Sequence, residues 1–219
     1  MQECRIAIFD VDGTLTAGPS AWRALLDGCN KWDPQGEEIL SMFQSGQIDY
    51  WEFCQAHARL LERIPKRQLT EIIRASVRVR DGIAEPFSFL KALGYRIGFV
   101  STGLQVLTDL IRAQYPVDFC RVNRLEFSYG ISTGRAIVEV FENDKKSHAV
   151  ELAALYGARH VISFGDSRGD IGLFAASDVS VAVNSYPDVE CFSTYSYTGD
   201  SLVGLTTLLA PILSEPQRQ

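Results

Sequence analysis

Asp10 and Asp12 stand at the end of an apolar run, residues 5–9, and their spacing decides what chemistry the chain could do. Side chains two apart on a strand point to the same side, so the two carboxylates project together from its carboxyl end. Unless a cation neutralises such a pair, one member holds a proton, which divides it into a nucleophile or metal ligand and an acid/base. Gly13 allows a sharp turn, and Thr14 offers a hydroxyl and an amide where a bound anion would sit. Three further clusters follow. Ser101-Thr102-Gly103 ends the apolar run 95–100, Gly165-Asp166-Ser167-Arg168-Gly169-Asp170 ends the run 160–164, and Lys145 and Lys146 precede an amphipathic stretch. Ser101, Thr102 and Gly103 would give a hydroxyl and amides to phosphate oxygens at a helix amino end. Asp166 reads as a metal ligand, and Asp170 as a ligand or its hydrogen-bonded neighbour. Adjacent lysines ahead of a helix both read as solvated, so the physics of the sequence does not choose between them.

The string Asp-Val-Asp-Gly-Thr-Leu-Thr at 10–16 resembles the first signature of the haloacid dehalogenase superfamily of phosphohydrolases, and the other three clusters match the remaining signatures in order. The resemblance implies that Asp10 attacks phosphorus and that Asp12 is the general acid/base. It also assigns Lys145, by its spacing from Val150, Leu152, Ala153 and Tyr156, to offset charge on Asp10 and the phosphoryl group. A carboxylate attacks a phosphate dianion poorly because both are negative, so such a site needs a divalent ion and N–H donors. Magnesium suits the donors: hard oxygens of Asp10, the backbone carbonyl of Asp12 and Asp166, with Asp170 as the further candidate, and no histidine or cysteine cluster for a softer metal. The expected cycle runs through an aspartyl-phosphate on Asp10, and the outcome is a phosphomonoesterase.

Active residues of an α/β sheet lie at the carboxyl ends of its strands. Strand-like runs at 5–9, 95–100, 160–164 and 179–183 alternate with helical patterns at 84–93, 103–114, 147–156 and 169–176, which predicts an α/β fold with a doubly wound, mostly parallel sheet. Residues 16–80 show helical periodicity at 21–29, 36–44, 49–62 and 67–76 and read as an inserted α-helical cap, leaving 1–15 and 81–219 as the core domain. A second excursion, 127–141, reads as a small antiparallel hairpin.

Within the superfamily the chain is similar to the phosphoserine phosphatase branch over most of residues 4–185, through residues 46–50 and 60–61, Asp81-Gly82, residues 90–95 and Asn123-Arg124-Leu125. That similarity implies a structural strand around Asn123 and a small phosphorylated metabolite as substrate. Three positions depart from it. Pro19, beside Ser20, replaces a glutamate suited to a substrate ammonium, and His57 replaces an arginine suited to a substrate carboxylate. Neutral imidazole cannot grip a carboxylate bidentately, so a zwitterionic amino acid would be poorly held. Gly169 replaces an asparagine that could touch phosphate or water. The expected function is a magnesium-dependent phosphatase of a small phosphorylated metabolite, with His57 as the candidate substrate contact in the cap. Phosphoserine phosphatase proper, a phosphotransferase with an alcohol acceptor and a non-catalytic phosphate sensor are the alternatives.

With 219 residues and 46% hydrophobic content, the chain can bury a full core. A net charge of −6 argues against a nucleic-acid surface. Five scattered cysteines without a Cys-x-x-Cys pair indicate neither a disulfide framework nor a zinc site, and with no readable signal peptide or membrane span the expected location is cytoplasmic. The polar end, Ser214–Gln219, is expected to fray, and oligomeric state is not readable.

Overall fold

Strand β1 (Cys4–Phe9) is the middle of the sheet, and its apolar residues are there because both of its faces are covered. The structure is a computed structural model that describes residues 4–214, so the residues expected to fray beyond Ser214 lie outside it. The other strands are β2 (Thr16–Ala17), β3 (Arg78–Val79), β4 (Tyr95–Leu104), β5 (Phe119–Ser128), β6 (Ile131–Ile137), β7 (Ala158–Gly165), β8 (Val179–Val183) and β9 (Tyr195–Tyr197). The helices are α1 (Ala21–Gly28), α2 (Glu37–Gln44), α3 (Tyr50–Leu60), α4 (Lys66–Ser76), α5 (Ala84–Ala92), α6 (Gln105–Gln114), α7 (Lys145–Tyr156), α8 (Ile171–Ala175), α9 (Pro187–Glu190) and α10 (Val203–Ser214).

Seven strands form one sheet in the order β6-β5-β4-β1-β7-β8-β9, parallel except for β6. The chain builds outward from β1 to one side through β4 and β5, then to the other through β7, β8 and β9. The crevice of a doubly wound sheet forms where that direction reverses, at the carboxyl end of β1. Side chains of β1 alternate between faces as a strand requires. Ile6 and Ile8 pack with Leu152 of α7 and Leu173 of α8, while Ala7 and Phe9 join Phe87 of α5, Ile111 of α6 and Leu205 of α10. Phe9 lies flat on Phe164, with ring centroids 4.1 Å apart and planes within 5°. That stack fixes the ends of β1 and β7 relative to each other just before Asp10 and Asp166.

Helices α1 to α4 are inserted between β2 and β3, which pair antiparallel with Thr16 opposite Val79, so the insertion leaves and rejoins the sheet at one point. Ser20 caps α1, accepting from the Arg23 amide. Asp49 and Glu52 form a reciprocal capping box at the start of α3, which satisfies two of its free amide donors. The hairpin β5–β6 turns at Tyr129 and Gly130, both at positive φ, and braces the insertion. The Gln55 amide of α3 donates to the Ala136 carbonyl at 2.7 Å and accepts from the Ala136 amide at 3.2 Å, as a neighbouring strand would.

Several elements differ from the sequence expectation. The hairpin starts at Phe119, earlier than residue 127, and ends at Ile137, because 138–140 turn away to meet Asn123. The helix expected over 169–176 begins as a tight turn, Arg168–Asp170, which Ser167 and Asp170 cap reciprocally. Strand β4 runs on to Leu104, so α6 begins at Gln105 and not at 103. The ribbon β2–β3, strand β9 and helix α10 carried no recognised signal: the strands are two or three residues long, and α10 is apolar on nearly all positions with Pro211 inside. No helix among the described residues is long and apolar enough to cross a membrane.

Gly98 in β4 lies under the Phe119 ring, where an added Cβ would meet the ring at 2.1 Å. Gly98→Ala is expected to destabilise the protein by about 1–3 kcal/mol through overpacking. Combining it with Phe119→Leu should recover part of that loss in urea unfolding; strict additivity of the two changes would show that the contact is not the cause.

Candidate active site

The parallel register brings the sequence clusters together. Phe9 is level with Phe99 of β4 and with Phe164 of β7, so Asp10, Ser101 and Asp166 emerge from adjacent strands within two residues of the same level. Lys145, the first residue of α7, reaches across to them. Its Nζ donates to Asp10 Oδ1 at 2.7 Å and to Asp170 Oδ1 at 2.7 Å, and all three side chains are almost fully buried. Lys146 is exposed. Of the two lysines, the structure brings to Asp10 the one that spacing assigned.

Burial alone would discharge the Lys145 ammonium, yet Asp10 and Asp170 outweigh it and raise its pKa, so the lysine is charged. Burial raises the pKa of Asp10 against the opposing pull of Lys145, with Asp170 adding to the rise. Asp12 accepts the Ala21 amide at 2.8 Å, and burial together with the Asp10 charge pushes its carboxyl up to about 7. Asp166 is pushed up to about 8, first by burial and then by Asp10 and Asp170, against the Thr14 hydroxyl that donates to it at 2.9 Å. Each shift has the same origin: several carboxylates gathered around one ammonium in a site that little water enters.

Glycines make room for this crowding. Gly13 has φ +88°, and a Cβ there would meet the Asp166 carboxylate at 2.2 Å, so both the turn and the close approach exclude a side chain. A Cβ at Gly103 would meet Asp12 Oδ2 at 2.1 Å, and one at Gly165 would meet the Asp170 carboxylate carbon at 2.4 Å.

Asp10, Asp166 and Asp170 each present a carboxylate oxygen, and these lie within 4.8 Å of one another. Hard anionic oxygens so close, and buried, fit a small divalent cation, whose charge would offset their mutual repulsion. The family of the donors therefore agrees with the expected kind of cofactor. Asp170 is the most committed of the three: Oδ1 takes Lys145, while Oδ2 accepts the amides of Asp166 and Ser167 and the Ser167 hydroxyl.

Some expected residues sit elsewhere in the arrangement. The Thr14 hydroxyl serves Asp166 and is not free for an anion. Ser101 is buried beside Asp10, and its Oγ accepts the Gly103 amide at 3.2 Å. The Thr102 carbonyl accepts from Asn123 at 3.0 Å. His57 is wholly buried in the insertion, with Nε2 on the Gly36 carbonyl at 3.3 Å and its ring 4.3 Å from that of Phe53. It lines the same pocket as Asp12, but burial lowers its pKa, so it is a neutral wall residue and no grip for a carboxylate. Arg168 points outward and pairs with Asp188. Gly169 has ordinary van der Waals room for a Cβ, so space does not dictate glycine there.

Two residues acquire a role that sequence reasoning did not give them. Asn123, fully buried, donates to the Thr102 and Val140 carbonyls at 3.0 Å each and to Tyr50 Oη at 3.2 Å, and accepts the amides of Glu139 and Val140. It fastens the loop after β4, the segment leading to Lys145 and the first residue of α3. A buried amide must be satisfied, but in a strand that also carries Arg121, Arg124 and Glu126 the residue type alone did not single it out. Arg80 donates to the Gly13 carbonyl at 3.2 Å and feels the Asp166 charge, from a position just after the two-residue strand β3, which gave no sequence signal.

The comparisons with known proteins agree with this geometry. A family model described as haloacid dehalogenase-like hydrolase matches residues 7–175. The phosphoserine phosphatase of Archaeoglobus fulgidus is 26% identical over 214 residues, covering 95% of this chain and 60% of its own length. That of Streptomyces coelicolor is 29% identical over 189 residues, covering 84% of this chain and 45% of its own. The chain thus spans about half the length of these relatives. A solved structure described as a phospho-aspartyl intermediate analogue of phosphoserine phosphatase superposes with a TM-score of 0.78 at 20% identity, covering 94% of this chain and 99% of that one. A probable phosphoserine phosphatase from Vibrio cholerae gives 0.84 at 20% identity, covering 96% and 65%. At such identities the likeness is one of fold.

A carboxyl whose pKa is higher folded than unfolded makes the folded state lose stability as pH rises, here between about 4, the unfolded value, and 8. Asp166→Asn keeps the acceptor for Thr14 and removes the charge. In chelator, the variant is expected to melt above the wild type at pH 8, with the difference shrinking toward pH 5; a constant or reversed difference would show that the Asp166 carboxyl is not raised in the folded protein.

Proposed function

Because this chain belongs to the haloacid dehalogenase-like hydrolases, we propose that it is a magnesium-dependent phosphomonoesterase that hydrolyses a small phosphorylated metabolite through an aspartyl-phosphate on Asp10. The observation that carries this reading is the Lys145 ammonium 2.7 Å from Asp10, in one crevice with Asp12, Ser101 and Asp166. Lys145 keeps Asp10 ionised and oriented toward the crevice. The Asp10 oxygen attacks phosphorus, the ester P–O bond breaks, and Asp12 gives its proton to the leaving alkoxide. Asp12 then takes a proton from water as the water oxygen attacks phosphorus, which frees Asp10 and inorganic phosphate.

An acid/base is most effective with a pKa near the working pH, and the value of about 7 at Asp12 supports that role over a passive phosphate sensor. Ser101 and the amides beside it are suited to the phosphate oxygens. Asp10, the Asp12 carbonyl and Asp166 would hold magnesium, with Asp170 orienting Lys145 and the Asp166 loop behind them. Bound there, the ion supplies charge neutralisation for the phosphate dianion.

Residues 16–80 act in this reading as a cap that holds the organic part of the substrate against a core of 1–15 and 81–219. The relatives named phosphoserine phosphatases make phosphoserine a reference substrate, but Pro19 and Ser20 offer no charge to its ammonium, and His57 is buried and neutral. Free thiols at Cys4, Cys29, Cys54, Cys120 and Cys191 support a reducing, cytoplasmic location.

Phosphate release from a panel of phosphorylated metabolites, with magnesium and with chelator, tests the proposal: metal-dependent turnover of at least one ester is expected. Asp10→Asn should lower kcat by about three orders of magnitude or more with the melting temperature retained. Wild-type turnover in that variant would rule out the covalent mechanism.

A further inference from the structure

A pocket of about 320 Å³ opens beside Asp12 and Gly103 and runs along α3. Tyr50, Phe53 and His57 stand at i, i+3 and i+7 and so share one face of that helix, about 10 Å from first to last. Tyr50 marks the end near the phosphate site, since its hydroxyl donates to the Thr102 carbonyl at 3.4 Å. Phe43, Trp22 and Trp32 complete the ring-lined wall.

The charges of this wall are unequal. Arg23 is the one cation among the lining residues, and it is already committed: its Nε donates to Asp27 at 2.6 Å and its guanidinium lies 4.0 Å over the Trp32 ring. His57 is neutral, and its Nε2 is held by the Gly36 carbonyl. On the other side stand Asp12 and Glu142. Glu142 is exposed at the mouth of the pocket and pairs with no cation among the described residues. Next to it, Asp49, Asp144, Phe43 and Tyr50 line an adjoining depression, which extends the acidic and aromatic character outward.

A wall of aromatic rings with an unpaired carboxylate at its mouth, its one cation paired with Asp27 and lying on Trp32, attracts an organic ammonium and repels a carboxylate. Electron-rich ring faces favour the poorly hydrated cation over a neutral group of equal shape. We propose that the phosphomonoester taken by this site is that of a cationic amino alcohol lacking a carboxylate, its ammonium seated among the pocket rings with Glu142 at the mouth as counter-charge. This inference rests on the phosphatase reading and adds the class of the leaving group. It also accounts for the departures at Pro19 and His57 together. The ammonium is received by rings and Glu142 instead of a residue after the first motif, and the carboxylate grip is gone because no carboxylate has to be held.

The test compares phosphocholine with 3,3-dimethylbutyl phosphate, which has the same shape without the charge, and with O-phosphoserine, which adds the carboxylate. Under magnesium, kcat/KM for phosphocholine or phosphoethanolamine is expected to exceed that of the neutral isostere by about fivefold or more and that of phosphoserine by more still, chiefly through KM. Glu142→Gln should reduce the ratio between phosphocholine and its isostere. Hydrolysis that depends on Asp10 but shows equal or higher kcat/KM for the isostere or for phosphoserine would overturn this inference and leave the phosphatase reading standing. Failure of every ester, p-nitrophenyl phosphate included, would instead remove the phosphatase reading. Calorimetric titration of the Asp10→Asn variant with phosphocholine and the isostere decides the charge preference without turnover: tighter binding of phosphocholine supports it, and equal affinities overturn it.

Discussion

One ammonium shared by two buried carboxylates is the constraint around which the molecule is arranged. Lys145 meets Asp10 and Asp170 at 2.7 Å each, while Asp12 and Asp166 add further negative charge nearby. A buried ion pair contributes little net stability, because desolvation offsets attraction, and an excess of one sign makes the balance worse. The rest of the fold must hold these groups against their own repulsion. It does so with the stack of Phe9 on Phe164, with strands buried on both faces, and with glycines where any side chain would push the carboxylates apart. Burial first, and then the same repulsion, raise the carboxyls of Asp12 and Asp166 to about 7 and about 8, so what the fold has to hold together is also what keeps these groups near protonation at neutral pH.

Rigid placement depends on residues that never face the crevice. Asn123 ties together three segments that arrive from different parts of the chain, the loop after β4, the approach to α7 and the start of α3. Asp170 does the same inside the last motif, joining Lys145 to the amides of Asp166 and Ser167. In both, a planar group with two polar atoms satisfies backbone groups that loops leave open, amides alone for the Asp170 carboxylate and amides and carbonyls for Asn123, and so fixes those loops.

The parts of this arrangement legible in the sequence were those written in short-range pattern. Long apolar runs ending in Asp10, Ser101 and Asp166 announced parallel strands and the edge on which chemistry would collect. The helical insertion was visible in its 3.6-residue period. What required three dimensions was register and partnership. Lys145 and Lys146 differ only in which way the first turn of α7 faces. Thr14 looked like an anion contact until Asp166, 152 residues away in sequence, took its hydroxyl. Arg80 and the ribbon around it are too short to carry a periodic signal, and α10 is too uniformly apolar to show one. The rings of α3 could equally have been core, and it is their position beside Asp12 that makes them a wall.

The pairing of Gln55 with Ala136 bears on how substrate and product can be exchanged. A helical lid tethered by a single two-stranded hinge could swing freely about it. Here the insertion has a second mooring on the hairpin β5–β6, where Arg63, Ile64 and Lys66 also exchange backbone hydrogen bonds with Ser132 and Gly130, so a full swing has to break several hydrogen bonds at once. Substrate and product are therefore exchanged most cheaply with that moored edge held in place.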